Sequence, residues 1–201
     1  MGGLKSDAYL SLNPQGKMPL LVLPDGTAIP ESDTIARYVL DEWAAAGPSF
    51  DPGTPALRAR ANLAARLLDT YISPVQGCLY KAMGAGDRAA QLADLARQLS
   101  VLEPVVLGPR VCGDAPSLAD AALFPTLVFC TDILPAVYGW EDVFASRPKL
   151  GAHFEAMAAD PVGARVIAEM RDGLRAWVDG DRWGELGIRD QVKADPAAFK
   201  H

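Results

Sequence analysis

The stretch LLVLPDGTAIPESDTIARYV, residues 20–39, decides the fold. It continues from Met18-Pro19, and MPLLVL is apolar and short, as a buried strand is. Pro24-Asp25-Gly26 is hairpin chemistry, because Asp-Gly tolerates the positive φ of a tight turn. Thr27–Ile29 reads as the return strand. Glu31-Ser32 then opens a helix in which Ile35, Tyr38, Val39 and Trp43 recur at helical spacing, until Gly47-Pro48 ends it. Ser32 can act as a plain N-cap, or it can offer its hydroxyl and the free N–H groups of the helix start to an anion. A hairpin this small is not stable alone, so it must belong to a larger sheet.

Outward from this stretch, the chain becomes helical. Upstream, LKSDAYLSL reads as one or two helical turns and NPQG as a turn. Downstream, Pro48, Pro52, Gly53 and Pro55 mark a linker over 48–56. Leu63, Leu67, Leu68 and Ile72 then line one helical face, with a kink expected at Pro74. Leu92, Leu95, Leu99 and Leu102 form an apolar stripe expected in the core. Ser117-Leu118-Ala119-Asp120 has the form of a capping box. The helix behind it, LADAALFPTLVFCTDIL, is apolar nearly all round, as a helix at the centre of a bundle is. Two more helices follow, over PKLGAHFEAMAAD and PVGARVIAEMRDGLRAW. The expected division is a strand-containing piece over 1–47, the linker 48–56, an all-α domain over 57–178 and a polar tail over 179–201, on the surface and partly ordered at Trp183 and Leu186.

Half of the 201 residues are hydrophobic, enough for a core. The net charge of −6 argues against nucleic acid or an anionic membrane as the main partner. No segment reads as a signal peptide or a membrane span. Cys78, Cys112 and Cys130 are widely spaced with no CxxC, which fits buried, reduced thiols in the cytoplasm or an organelle interior, not secretion. With only His153 and His201, a histidine-based triad or metal site is not expected.

NPQGKMPLL, PESDTIARYV and GDAPSLADAALFP, in that order and spacing, resemble the cytosolic glutathione transferase family, with phi/theta-like motifs. The resemblance covers about residues 4–178. It implies a mostly α fold: an all-helical C-terminal domain with a thioredoxin-like α/β N-terminal piece. It implies glutathione as co-substrate, an apolar small molecule as acceptor, and no metal. By the same resemblance Met18 precedes a cis proline, Pro19, and its backbone pairs with the cysteinyl part of glutathione. Glu31 and Ser32 grip the γ-glutamyl group, and Lys5 and Lys17 reach the glycine carboxylate. Asp120, with Ser117, is a buried capping element and not a catalyst. The chemistry agrees, since glutathione carries two carboxylates for the helix start and the lysines and one ammonium for Glu31.

In the family, the stretch matching LKSDAYLSLNPQGKMP follows a first strand, a helix and a second strand. That unit carries the serine, tyrosine or cysteine that activates the thiol. Only Met1-Gly2-Gly3 stand before the stretch here, so the thioredoxin-like piece reads as truncated and the catalytic residue is unassigned. Ser6, Ser11, Tyr9 and the three cysteines are substitutes by type only. Two readings follow. One is a transferase that joins glutathione to an electrophilic apolar acceptor. The other is a non-catalytic binding module or structural subunit of a larger assembly. The open edge beside MPLLVL is expected to be covered by the 179–201 tail, by a second copy in a homodimer, or by another protein.

Overall fold

The computed structural model describes residues 3–201. Met1 and Gly2, at the head of the 1–47 segment, lie outside the described residues. The chain divides into two compact units, residues 1–50 and 51–201.

The first unit contains α1 (Asp7–Leu10), β1 (Leu20–Val22), β2 (Ala28–Pro30) and α2 (Ser32–Glu42). The strands are antiparallel, with Leu20 opposite Pro30, Leu21 opposite Ile29 and Val22 opposite Ala28. Gly26 sits at φ +89°, which the turn requires and a side chain disfavours. Its N–H donates to the Leu23 carbonyl at 2.9 Å, and the Thr27 N–H donates to Asp25 Oδ1 at 2.8 Å. That N–H holds the Asp25 carboxyl below its ordinary range. β1 is shorter than MPLLVL because Pro19 has no N–H for a ladder and Leu23 is taken up in closing the turn. The helix predicted to reach Ala46 stops at Glu42. Trp43 leaves helical geometry, and the Ala46 N–H turns back onto the Trp43 carbonyl at 2.8 Å. No residue of α2 is buried: Ile35 and Tyr38 are half-buried, and Trp43 is 53% exposed. Among the described residues β1 pairs only with β2.

The second unit is helical. Its main elements are α3 (Pro55–Leu67), α4 (Ala85–Leu102), α5 (Leu118–Ile133), α6 (Pro148–Ala159) and α7 (Pro161–Asp179), followed by short α8 (Arg182–Glu185) and α9 (Ile188–Ala194). Thr54 caps α3 through its side chain, and Pro55 fills the first helical position. Instead of a kink at Pro74, α3 gives way to a π turn over Leu68–Ile72, and the chain has left the helix before Pro74. A proline there would leave a helical carbonyl unbonded. The leucine stripe of α4 is buried throughout: Leu92, Leu95, Leu99 and Leu102. At the α6–α7 joint a side chain on Gly163 would place its Cβ 1.9 Å from the Met157 carbonyl oxygen, so only glycine fits.

α5 runs through the core and continues as a π turn over Leu134–Tyr138. The stretch Leu118–Tyr138 is long and apolar enough, by length and composition, to cross a membrane. This corrects the expectation that no segment is. The physical reason is that a central bundle helix needs apolar residues on every side, which is also what a bilayer demands. Here Leu123, Leu127, Cys130, Ile133 and Leu134 belong to the hydrophobic core of the unit.

Buried polar groups pin both ends of this helix. At its start Asp120 Oδ2 accepts from the Ser117 N–H at 2.7 Å and the Ser117 hydroxyl at 2.8 Å, and Oδ1 accepts from the Val111 N–H at 2.8 Å. His153, fully buried, stands 3.4 Å from Asp120 Oδ1. At the far end the Tyr138 hydroxyl donates to the Cys78 carbonyl at 2.7 Å. Arg88, also fully buried, donates to the carbonyls of Cys78 and Lys81, to Tyr138 Oη and to Gln191 Oε1.

Residues 179–201 are not a surface tail. Trp183, Ile188 and Phe199 are core residues of the helical unit. The Trp183 indole donates to the Leu79 carbonyl at 2.9 Å, the Trp140 indole to the Phe199 carbonyl at 2.7 Å, and Gln191 to the Met83 carbonyl at 3.0 Å. The segment looks polar because its few apolar residues are spread among charged ones.

Two outcomes follow from the buried polar groups. Arg88→Met keeps apolar volume but leaves buried acceptors without donors, and is expected to cost about 2–3 kcal/mol in urea unfolding. Burial pushes His153 below its ordinary value, against the nearby Asp120 carboxylate, which raises it. The unfolded chain therefore takes up the proton first, and stability is full above pH ~6.5 and falls as pH drops below it. Comparing thermal midpoints at pH 7 and 5.5 checks this: the drop is expected to be smaller in His153→Leu.

Candidate functional site

The hairpin register brings two of the sequence-predicted pairs to one end of the small unit. Leu20 faces Pro30 in the last pair of the ladder. Met18-Pro19 and Glu31-Ser32 lie just outside that pair, so both flank the same end. The Met18–Pro19 peptide bond is cis. Met18 is 73% exposed, and among the described residues its backbone N–H and C=O form no hydrogen bond.

Glu31, not Ser32, occupies the N-cap position of α2, and its side chain makes no capping bond. Ser32 is the first helical residue, so the plain N-cap reading of its hydroxyl does not hold. The first helical N–H to find a partner is that of Ile35, onto the Glu31 carbonyl at 2.9 Å. Among the described residues the N–H groups of Ser32, Asp33 and Thr34 therefore stay open, as at any helix start without a cap. Ser32 and Glu31 are both exposed, and their side chains form no hydrogen bond among the described residues. The result is a cluster of open donors at the positive end of a helix dipole, with the Glu31 carboxylate beside it and the Asp33 carboxylate paired with Arg37 at 2.7 Å.

Glu31 holds an unusual backbone, φ +72° and ψ +124°. A side chain in this region costs about 1–3 kcal/mol, and such residues gather where a site needs them. Sequence reasoning could not see this conformation. The only signal was a glutamate standing directly after a proline-ended strand and directly before a helix.

The lysines are placed differently from each other. Lys17 lies next to Met18, and its carbonyl is fixed by the Tyr9 hydroxyl at 2.6 Å and by Asn13 Nδ2 at 2.8 Å. Its ammonium forms no bond among the described residues. Lys5 Nζ donates to the Gln15 carbonyl at 3.2 Å, so its charge sits over the 13–17 turn. Asn13, nearly fully buried, ties that turn together: its Oδ1 accepts from the Gln15 N–H at 3.2 Å and its carbonyl from the Gly16 N–H at 2.9 Å. Sequence reasoning missed Asn13 and Tyr9 as the groups that position Lys17 and Met18. NPQG read as a turn, but nothing in it showed that the asparagine side chain would reach the Lys17 carbonyl.

The substitutes for a thiol-activating residue are all occupied or inert. Ser6 caps α1 by accepting from the Tyr9 N–H, Ser11 donates to the Ala8 carbonyl at 3.0 Å, and Tyr9 is committed to Lys17. Burial pushes the thiols of Cys78 and Cys130 up to about 12 and raises that of Cys112, so none is a ready thiolate. Among the described residues no group of three or more His, Cys, Asp or Glu is arranged to hold a metal ion.

Residues 2–42 match the family described as Glutathione S-transferase, N-terminal domain, and residues 84–156 the Glutathione S-transferase, C-terminal domain. The chain is similar to a probable glutathione S-transferase BZ2 of Zea mays, 33% identical over 174 residues and covering 74% of each chain. It is also similar to glutathione S-transferase U17 of Arabidopsis thaliana, 33% identical over 176 residues, covering 83% of this chain and 76% of that one. Among solved structures, glutathione transferase Omega 3C from Trametes versicolor superposes with a TM-score of 0.66 at 26% identity, over 81% of this chain and 72% of that one.

The backbone of Glu31 has a direct test. Ala keeps the strain and Gly relieves it, so Glu31→Gly is expected to be more stable than Glu31→Ala by about 1 kcal/mol, the reverse of the usual order. Thermal unfolding of the two variants reads the difference.

Proposed function

This chain belongs to the glutathione S-transferase family, and on that premise we propose that it binds reduced glutathione at the end of its hairpin and joins the sulfur to an electrophilic, apolar acceptor. The observation that carries the proposal is the pairing of open groups there: the exposed Met18 backbone beside Ser32 and the free N–H groups that begin α2. The γ-glutamyl carboxylate is a match for Ser32 Oγ and the N–H groups of residues 32–34. Its ammonium is a match for the Glu31 carboxylate. The cysteinyl backbone can pair strand-like with Met18. Lys17 supplies charge for the glycine carboxylate, and Lys5 adds a second cation over the 13–17 turn.

Conjugation requires the glutathione thiol to lose its proton to water and the sulfur to attack an electrophilic carbon, which in an aryl halide then expels halide. Holding the sulfur in place contributes to the rate even where no group activates it. A second reading, a glutathione-binding module without conjugating activity, is favoured by the occupied hydroxyls of Ser11 and Tyr9. We place the protein in a reducing compartment, supported by its three buried, unpaired cysteines.

Calorimetric titration with reduced glutathione tests the site. Saturable binding is expected, weakened about tenfold by Ser32→Ala, or ~1.4 kcal/mol, and a few-fold by Lys17→Ala. A folded protein showing no binding at millimolar glutathione would overturn the proposal. Binding without conjugation of an aryl halide above the uncatalysed rate would select the second reading.

A further inference from the structure

One long side of β1 has no partner: among the described residues β1 pairs only with β2. The Leu23 N–H donates to the Thr27 carbonyl at 2.9 Å, and the same register sets Leu21 opposite Ile29. Backbone groups in an antiparallel ladder alternate between the two sides of a strand. Leu23 and Leu21 therefore face β2, and the N–H and C=O groups of Leu20 and Val22 point to the open side. Val22 is 46% exposed, and Lys17, Met18, Pro24 and Asp25 are exposed as well. An edge of this kind is a template for another strand. The C-terminal segment does not supply that strand, because Trp183, Ile188 and Phe199 are packed into the core of the helical unit.

The pattern of the edge fits a second copy of itself. Antiparallel pairing about a two-fold axis at Leu21 sets Leu20 opposite the partner's Val22, and Val22 opposite the partner's Leu20. Each pair can exchange two hydrogen bonds, and Leu21 meets the partner's Leu21 between them. Apolar residues then face each other at all three positions. The same register sets Lys17 opposite the partner's Asp25, and Asp25 opposite the partner's Lys17. These are the only charged residues in 13–30, and both are exposed. Moving the axis by one residue removes the match. An axis at Leu20 sets Lys17 opposite the partner's Leu23. An axis at Val22 sets Leu20 opposite the partner's Pro24, which has no N–H to give.

The helices fit the same arrangement. α2 packs on both strands of the hairpin. The two-fold axis is perpendicular to the sheet, so both α2 helices lie on one face. The midlines of the two hairpins are two strand spacings apart, about 9.6 Å. Helices pack at about 8–10 Å. α2 carries an exposed Val39 and, at its end, an exposed Trp43, so it has apolar surface left to bury.

We propose that the chain self-associates edge to edge through β1, forming a four-stranded antiparallel sheet, β2–β1–β1–β2, with the two α2 helices side by side. A sheet of three or more strands packed against helices is what a small hairpin needs for stability. The backbone groups used are those of Leu20 and Val22, not the Met18 and Ser32 groups proposed for glutathione, so the two readings stand or fall separately.

Sedimentation of the full chain over roughly 1–300 μM tests this, with amide hydrogen exchange at the upper end. A monomer–dimer equilibrium is expected, with the Leu20 and Val22 amides protected in proportion to the dimer. Val22→Lys is expected to raise the dissociation constant about tenfold, and Lys17→Glu about fivefold. Adding Asp25→Lys to Lys17→Glu is expected to restore most of the association, because the swapped charges again face each other. Asp25 also holds the turn through Thr27, so the first two variants keep the test valid if the double variant fails to fold. A monomer at every concentration would overturn the proposal, whether the two amides are protected by another segment of the chain or exchange freely and leave the edge to another protein. A dimer left unchanged by either folded variant, Val22→Lys or Lys17→Glu, would overturn it too.

Discussion

The helical unit depends on how its central helix is held. α5 is apolar on nearly every side, so no polar face orients it, and burial alone would leave it free to slide or rotate. Its position must be specified at the ends. Asp120 does this at the start, where its two oxygens collect the Ser117 N–H, the Ser117 hydroxyl and the Val111 N–H. A buried carboxylate is tolerated only when its hydrogen bonds are made, and here the bonds fix one register of the helix. At the far end Tyr138 and Arg88 converge on the Cys78 carbonyl, and Arg88 also reaches Gln191 in the C-terminal segment. The two knots position the core, and the leucine stripe of α4 packs against what they define.

The small unit follows the opposite logic. It buries little, and its polar groups are most open at one end of the hairpin. Among the described residues three helix-start N–H groups, a hydroxyl and a carboxylate are left unpaired, and Glu31 holds a backbone conformation that disfavours its own side chain. Each of these lowers stability. They are concentrated at one end, beside an exposed Met18 backbone, and this concentration is what supports the proposed glutathione site. The turn at Asn13 supports the arrangement from below by fixing the carbonyl just before Met18.

Much of this was legible in the sequence because short-range chemistry determined it. Pro24-Asp25-Gly26 makes its turn with local atoms alone. Ser117 and Asp120 form their box within one helical turn. The period of the α4 leucines shows which face is buried. What was not legible depends on long-range partners or on backbone geometry. Arg88 reads as a surface arginine until residues 78, 81, 138 and 191 surround it. Ile188 and Phe199 sit in a segment whose charged residues hide them, and only Trp183 and Leu186 stood out there. The apolar continuity of 118–138 cannot separate a bundle centre from a membrane span. At the site, the identities of Met18, Pro19, Glu31 and Ser32 stood out through family motifs, while the φ of Glu31 and the unbonded state of Ser32 did not.

The central claim is that glutathione is held by the backbone at one end of the hairpin. Amide-resolved NMR during titration with reduced glutathione tests this most directly. Saturable shifts are expected at the N–H groups of Met18, Ser32, Asp33 and Thr34, all following one binding curve. Shifts confined to the helical unit, or no shift at these four amides at millimolar glutathione, would contradict the account.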